Sequence, residues 1–512
     1  MSIEVELKLS ASTDKIKQVK QWLKEVGCSE SNSAELEWEQ KYLHNTYFDT
    51  KNHRLRGTDI GLRIRKDGDH YIQSVKSAGR VVGGLYQRNE SEHTIPEDKL
   101  QLELVDEPYL MILLEEAEEE DGPLAPIFTT NFNRDVVTIG YNGAQVEVAL
   151  DQGQINCMAE ESSTIAQESQ DLCEVELELK EGEASVLFDL GRELIEQFDL
   201  VLDSESKAER GYRLCHSAPE YTKHLDLVNL TSKTSAEAAF ESVAHKGLGH
   251  WQYHIKKIKR EPSIDAVLQL NRALMFMQTM YSVFAAVIPR HSLIHLRKDW
   301  REITKNFSKL FTIAEEINWL NNSKLYGFHY DELAKLESGL EQSFIKEHKI
   351  FVEYLKTPSY NLKLLRFSRW LYLKEWREAI GESNAEKIQK KEIYSYATKQ
   401  LQHLLRDMRR HLSEKVTLSK QDYIDYLPKM TRTLDIGLFF GCLFDDRARR
   451  EYRRGWADIV ANIQLLQQLV YLEKALAVEG VEDPLIDDTE TETLVVLKGM
   501  REEALARNPY WN

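Results

Sequence analysis

No two of the five cysteines stand in a CxxC pair, and positions 28, 157, 173, 215 and 442 outline no disulfide framework. A disulfide-stapled fold is excluded by that pattern, which predicts reduced thiols in a cytoplasmic protein. No apolar run is long enough to span a bilayer: the longest, Ala273 to Ile288, is interrupted by Gln278 and reads as a buried helix. A signal-peptide architecture is missing as well, because charge begins at Glu4, so no membrane partner is expected. Nor is there an excess of positive charge. The formal charge of −18 argues against nucleic acid as a partner. Short-period repeats are absent, and only the acidic run from Glu115 to Asp121 is of low complexity.

What is present is ample apolar material, 42% of 512 residues, which predicts more than one packed domain. The charge is split unevenly. Residues 1–220 carry 22 Lys+Arg against 45 Asp+Glu, and residues 221–512 carry 44 against 39. Strict alternation from Ile3 to Leu9 predicts a strand with unlike faces. A short helix follows, with Ile16, Val19, Leu23 and Val26 on one stripe and Gly27 at its end. Further strands are predicted over Tyr42–Asp49, Gly61–Lys66, His70–Lys76, Gly84–His93, Asn133–Tyr141, Ala144–Asp151 and Leu172–Lys180, with Asn142-Gly143 as a hairpin turn. Helical patterns cover about Glu97 to Glu118 and Glu183 to Phe198. Beyond His216–Thr234 strands disappear. Thr234-x-x-Glu237 reads as a capping box opening a long helix, and further helices are broken at Pro262, Pro289, Pro358, Gly381 and Pro428. The class is α+β, a β-rich domain followed by an all-α one.

Residues two apart on a strand share a face. Glu4, Glu6 and Lys8 therefore stand together, as do Arg63 with Arg65, Arg88 with Glu90, Glu147 with Asp151, and Glu174, Glu176 and Glu178 with Lys180. The opposite faces are aliphatic. If the sheet closes with its charges inward, helices cover the aliphatic faces and the interior is a charged tunnel. Carboxylates are natural ligands for Mg²⁺ or Mn²⁺, and arginines and lysines for phosphate oxygens. An interior with both suits a metal–polyphosphate complex.

The motifs Glu4-Val5-Glu6-Leu7-Lys8, Tyr47-Phe48-Asp49-Thr50, Leu62-Arg63-Ile64-Arg65, Lys76, Arg88-Asn89-Glu90, Arg134, Glu147 to Asp151, Glu176-Leu177-Glu178 and Ser206 to Tyr212, in this order, resemble the CYTH family of triphosphate tunnel metalloenzymes. The resemblance covers about the first 215 residues. It implies an eight-stranded antiparallel tunnel over 1–215, a linker over 216–234 and a helical domain over 235–512. It also implies metal binding by Glu4, Glu6, Glu176 and Glu178, with Glu147 and Asp151 as further acidic candidates. Phosphate would be held by Lys8, Arg63, Arg65, Lys76, Arg88, Arg134 and Lys207. Lys8 and Glu90 are the catalytic candidates, with Glu90 orienting the water. The activity expected is hydrolysis of inorganic tripolyphosphate to pyrophosphate and orthophosphate. Thiamine triphosphate, ATP (as hydrolase or cyclase substrate) and RNA 5′-triphosphates are alternatives on the same chemistry.

The helical part resembles a CHAD domain, which implies long-chain polyphosphate as a partner and, for the whole chain, a likeness to bacterial inorganic triphosphatases of the CYTH–CHAD type. The first CHAD signature is altered here, with Leu268, Asn271, Met275 and Phe276 in place of its histidine and most of its arginines, and the second, near Tyr426–Arg432, is degenerate. Basic groups persist at Lys256, Lys257, Lys259 and Arg260, at Arg406, Arg409 and Arg410, and at Arg447, Arg449, Arg450, Arg453 and Arg454. His245, His250 and His254 read as structural, and the altered signatures favour a scaffold role for this half.

Overall fold

In β1 (Ser2–Ser10) Leu7 and Leu9 point one way and Glu6 and Lys8 the other, and all four are buried. A strand buries two unlike faces when its sheet closes, with aliphatic groups outward beneath helices and charges inward. The computed structural model describes residues 2–30, 36–158, 168–215, 222–380, 387, 391–413 and 415–511. It has this closure. The chain forms two units, residues 1–221 with 355–373, and residues 222–354 with 374–512.

In the first unit, β2 (Glu39–Asp49), β3 (Gly61–Asp67), β4 (His70–Val82), β5 (Leu85–Ile95), β6 (Ala125–Tyr141), β7 (Ala144–Cys157) and β8 (Ser169–Glu181) join β1 in the antiparallel order β5-β4-β3-β2-β6-β7-β8-β1. Pairing of β1 with β5 as well as β8 closes an eight-stranded barrel, and the two-residue β9 (Val201–Leu202) adds to β1. Asn142 and Gly143 both have positive φ, as the tight β6–β7 hairpin requires. Several strands outrun their alternating segments: β6 starts at Ala125 rather than Asn133, and β4 runs to Val82 rather than Lys76.

Helices α1 (Thr13–Glu30) and α4 (Ser185–Phe198) cover one aliphatic face, where Val19, Leu23, Leu190 and Leu194 meet Leu7, Val148, Val175 and Leu177. The first helix runs past Gly27 instead of stopping there. Two others, α2 (Arg54–Gly57) and α3 (Pro108–Asp121), follow β2 and β5. Leu110 and Leu114 of α3 cover Leu62, Ile64 and Val75. The helical pattern expected from Glu97 therefore starts only at Pro108, whose fixed φ suits a first turn. The helix Pro358–Tyr372, far along the sequence, also belongs to this unit. Its Leu365 joins the core, Asn361 accepts the Leu202 N–H at 3.0 Å, and Arg369 pairs with Asp189.

The barrel interior is not charged throughout. Leu43, Tyr47, Phe128, Phe132, Ile155 and Leu172 form a buried cluster with Tyr212 of α5 (Lys207–Cys215). This last helix approaches closely because Gly211 has no side chain: a Cβ there would lie 2.1 Å from the Phe128 ring. Cys157, ending β7, and Cys215, ending α5, form a disulfide with Cα atoms 5.2 Å apart. That corrects the expectation of reduced thiols for these two. They are 58 residues apart, so no spacing motif announces them, and only the seating of α5 brings them together. Cys173 and Cys442 are free.

The second unit is helical, with long helices at Ala236–Arg260, Ile264–Val283, Ile294–Leu325, Ala334–Leu355, Ile393–His411, Lys420–Phe440, Asp446–Val478 and Pro484–Ala506. Breaks fall at Pro262 and Pro289 as expected, whereas Pro428 lies inside a continuous helix. The buried Tyr423, Tyr426, Leu427 and Met430 around it hold the helix together despite one missing N–H. The capping box is corrected by one residue. Ser235 accepts the Ala238 N–H at 3.1 Å, while Thr234 accepts from Thr231 and Glu237 instead binds Arg377 and Trp376. No helix among the described residues is long and apolar enough to cross a membrane.

Candidate active site

Register places the inward charges. Glu178 of β8 lies opposite both Glu6 of β1 and Glu147 of β7, so three carboxylates stand in a row across adjacent strands. Glu176 lies opposite Lys8, Asp151 opposite both Arg134 and Glu174, and Lys76 opposite Glu90. Cross-strand partners of this kind sit about 5 Å apart at Cβ, close enough for their charges to act on one another.

Two groups result. In the deeper one, Arg134 holds Asp151 with two hydrogen bonds of 2.7 and 2.6 Å and reaches Glu176 at 2.5 Å. Lys207 Nζ lies 2.8 Å from Asp151 and 2.9 Å from Glu176, and it also contacts Glu174. Lys8 contacts Glu176 and lies 3.2 Å from Glu6, while Arg210 binds Glu174 at 2.9 Å and also Asp203. Carboxylate oxygens of Asp151, Glu174 and Glu176 come within 4.8 Å of one another. Burial alone would raise Glu176, but the Lys207, Lys8 and Arg134 cations outweigh it and hold that carboxyl well below the usual range. Asp151 is likewise lowered, by Arg134 and Lys207 against burial. Glu174 goes the other way: burial pushes it up despite Lys207 and Arg210.

The second group is less neutralised. Glu4 meets Lys76 at 2.6 Å, and Glu90 meets Lys76 and Arg63 at 3.3 Å each. Glu147 and Glu178 share Lys180 at 3.4 and 2.7 Å. Burial raises Glu178, and the nearby Glu4 and Glu147 charges add to the rise; burial also raises Glu90. On the basic wall, Arg63 contacts Glu90 and Glu92, whereas Arg65 donates to Asn45 at 3.0 Å and feels the Glu92 charge without an ion pair among the described residues. Burial, together with the Arg63 and Arg134 charges, pulls Arg65 down to about 10. Arg88 lies 4.6 Å over the Tyr86 ring and stands opposite Glu4 in the β1–β5 register, without an ion pair among the described residues.

Every candidate residue named from sequence faces this interior, in two groups rather than one. Sequence reasoning passed over Glu174 and Arg210 as site residues. Glu174 has the strand parity of Glu176 and Glu178, and Arg210 lies one helical turn beyond Lys207, so both carried a positional signal. In the helical unit, Arg447, Arg449, Arg450 and Arg410 each pair with an acid on their own helix, which neutralises much of the basic surface. The His250 and His254 rings meet edge to face with centroids 4.5 Å apart, and burial holds both near a pKa of about 4, so they are neutral at pH 7.

Residues 2–212 match the CYTH domain and residues 242–477 the CHAD domain. The first region is 34% identical over 212 residues to an inorganic triphosphatase of Haemophilus influenzae, a match covering 41% of this chain and 54% of that protein. The chain thus spans about half the length of this relative. Among solved structures, the CHAD domain of the plant Ricinus communis is 15% identical, with 57% of this chain and 98% of that one covered and a TM-score of 0.44. HpAC1 from Hippeastrum, described as having a dominant triphosphatase activity, is 17% identical, with 41% and 95% covered and a TM-score of 0.30.

Proposed function

We propose that this chain, a CYTH domain followed by a CHAD domain, is a divalent-metal-dependent phosphohydrolase that splits inorganic tripolyphosphate into pyrophosphate and orthophosphate inside its barrel. The observation that carries the reading is the basic wall. Arg65 and Arg88 make no ion pair among the described residues, Arg65 lies beside the Arg63 and Arg134 cations, and the same barrel carries a cross-strand row of acids, Glu6, Glu178 and Glu147. The name of the Haemophilus influenzae relative supports the same class of substrate.

The donor chemistry fits a hard dication. Glu4, Glu6, Glu147 and Glu178 offer only carboxylate oxygens, and Glu178 is raised by burial first and then by the neighbouring Glu4 and Glu147 charges. Asp151 and Glu176 join this set only as Arg134, Lys8 and Lys207 turn from them to phosphate. A bound Mg²⁺ or Mn²⁺ would neutralise phosphate oxygens and supply Lewis acidity at the reacting phosphoryl group. The chain's own groups do the rest. Arg63, Arg65, Arg88, Lys76 and Arg134 bind the phosphates through charge-assisted hydrogen bonds, and Lys8 and Lys207 sit beside them. Glu90, held between Lys76 and Arg63, orients the attacking water. Water oxygen bonds to the terminal phosphorus, the bridging P–O bond breaks, and pyrophosphate leaves.

Phosphate release from tripolyphosphate, thiamine triphosphate and ATP, each with Mg²⁺ or Mn²⁺, tests this. Tripolyphosphate should be the best substrate, and Glu4→Ala and Glu178→Ala should each lose most activity. Full activity in both variants refutes the assignment.

A further inference from the structure

Lys8 is held in the barrel through its own peptide groups. The β1–β5 pairing ends with Leu7 opposite Leu85, so from Lys8 onward β1 has lost that neighbour. Two short pieces of chain take its place. Gly84, in the β4–β5 turn, accepts the Lys8 N–H at 3.0 Å, and Asp203, just after β9, donates its N–H to the Lys8 carbonyl at 3.0 Å. The Asp203 side chain binds Arg210, and Arg210 lies 2.9 Å from Glu174, the carboxylate that also contacts Lys207. Two buried cations of the site, Lys8 and Lys207, therefore depend on where residues 202 and 203 lie.

The β9 strand does not fix that position by itself. It is two residues long and stands at the end of the sheet order, where backbone donors are left without a neighbouring strand. Asn361, on the helix Pro358–Tyr372, supplies the acceptor: its Oδ1 takes the Leu202 N–H at 3.0 Å. The amide is itself fixed, because its Nδ2 donates to the Leu355 and Thr357 carbonyls at 3.0 and 2.8 Å and the residue is 1% exposed. The same helix reaches the other anchor of Lys8. Gly83 has a positive φ and leaves no room for a Cβ beside Ser368, so the helix is seated on the turn whose Gly84 holds the Lys8 N–H. One helix thus backs both the N–H and the C=O of Lys8.

We propose that Asn361 is a positioning residue for the reaction in the barrel. By holding β9 it sets the backbone at Lys8 and, through Asp203 and Arg210, the carboxylate that steadies Lys207. Part of the support of the site is therefore encoded far along the sequence, beyond all the barrel strands. The kinetic consequence rests on the triphosphatase reading; the hold on β9 does not.

Two variants of the full chain test it. Asn361→Leu is close in size and has no acceptor, whereas Leu365→Ala thins the packing of the same helix without touching either anchor. Hydrogen exchange over residues 200–206 should speed up about ten-fold or more in Asn361→Leu and stay near wild type in Leu365→Ala. In assays where both variants are folded by circular dichroism, kcat/KM for tripolyphosphate should fall roughly ten- to a hundred-fold in Asn361→Leu, the scale of a catalytic group displaced by about 1 Å. Leu365→Ala should stay within about threefold of wild type. Equal losses of kcat/KM in the two variants, or unchanged exchange over 200–206 in Asn361→Leu, overturn the proposal. A wild type that cleaves no triphosphate refutes the triphosphatase reading instead, and the exchange comparison still decides whether Asn361 holds β9. Should Asn361→Leu fail to fold, native-state exchange of the wild type in urea decides: residues 200–206 and 358–372 should open together, and independent opening overturns the proposal.

Discussion

Replacing Arg65 by methionine keeps a long side chain inside the barrel and removes only its charge and its bond to Asn45. In the ligand-free protein that charge is unfavourable: burial and the Arg63 and Arg134 cations bring Arg65 from 12.5 to about 10. At 1.36 kcal/mol per unit, the cation is disfavoured by roughly 3 kcal/mol. Losing the Asn45 hydrogen bond takes back about 1 kcal/mol, which leaves a net stabilisation of roughly 2 kcal/mol. For a unit of this size that is a rise in melting temperature of about 4–8 °C, measured by calorimetry without ligand. Activity should move the opposite way. A lost charge-assisted contact to a phosphate oxygen is about 1.5–3 kcal/mol, so kcat/KM for tripolyphosphate should fall roughly ten- to a hundred-fold. Destabilisation by more than about 1 kcal/mol, or an unchanged kcat/KM, would show that Arg65 is a structural cation and refute the reasoning.

Stability of the ligand-free barrel should depend on acid in two stages. Glu174, Glu178 and Glu90 have raised folded pKa values, so they oppose folding at neutral pH, and stability should rise as pH falls through those values toward 4.5. Glu176, Asp151 and Glu4 have lowered ones, so their contribution is present above the unfolded values and is lost as pH falls further; urea titrations across pH 3–7 should therefore show a maximum rather than a monotonic decline. Gly211→Ala should cost about 1–3 kcal/mol and reduce activity by lifting α5 from Phe128, whereas an unchanged melting curve would contradict the close approach. Reduction of the Cys157–Cys215 disulfide, which links residues 58 apart, should lower stability by roughly 2–4 kcal/mol in a melt with and without dithiothreitol. Ser235→Ala should cost about 1 kcal/mol and Thr234→Ala much less, since only the former caps the helix.

The barrel was legible because its strands are unusually uniform on each face. Glu4, Glu6 and Lys8 against Val5, Leu7 and Leu9 define two unlike faces, and the same parity gathers Arg63, Arg65, Glu176 and Glu178 on the charged one. What escaped follows from interactions between distant segments. The first half of β6 shows no clean alternation, because Pro126 and scattered polar residues hide Phe128 and Phe132, whose partners come from β2, β7, β8 and α5. The disulfide has no local signature. Pro428 looks like a helix break until the buried aromatic residues around it are counted, and two adjacent hydroxyl residues, Thr234 and Ser235, made the cap ambiguous by one position. The division of the acids into a neutralised and an under-neutralised group depends on which cation reaches which carboxylate. Strand parity does not carry that information.

The seating of α5 also bears on how the barrel is made. Asp151 and Glu174 are fully buried, and two of the cations that compensate them, Lys207 and Arg210, lie on α5, which follows all eight barrel strands in the sequence. Until that helix is synthesised and docked, closing β7 against β8 would desolvate carboxylates that lack two of their three contacting cations, a cost of several kcal/mol. Completion of the barrel is therefore conditional on α5. A ribosome-bound chain ending before Lys207 should remain open and protease-sensitive even though all eight barrel strands are present.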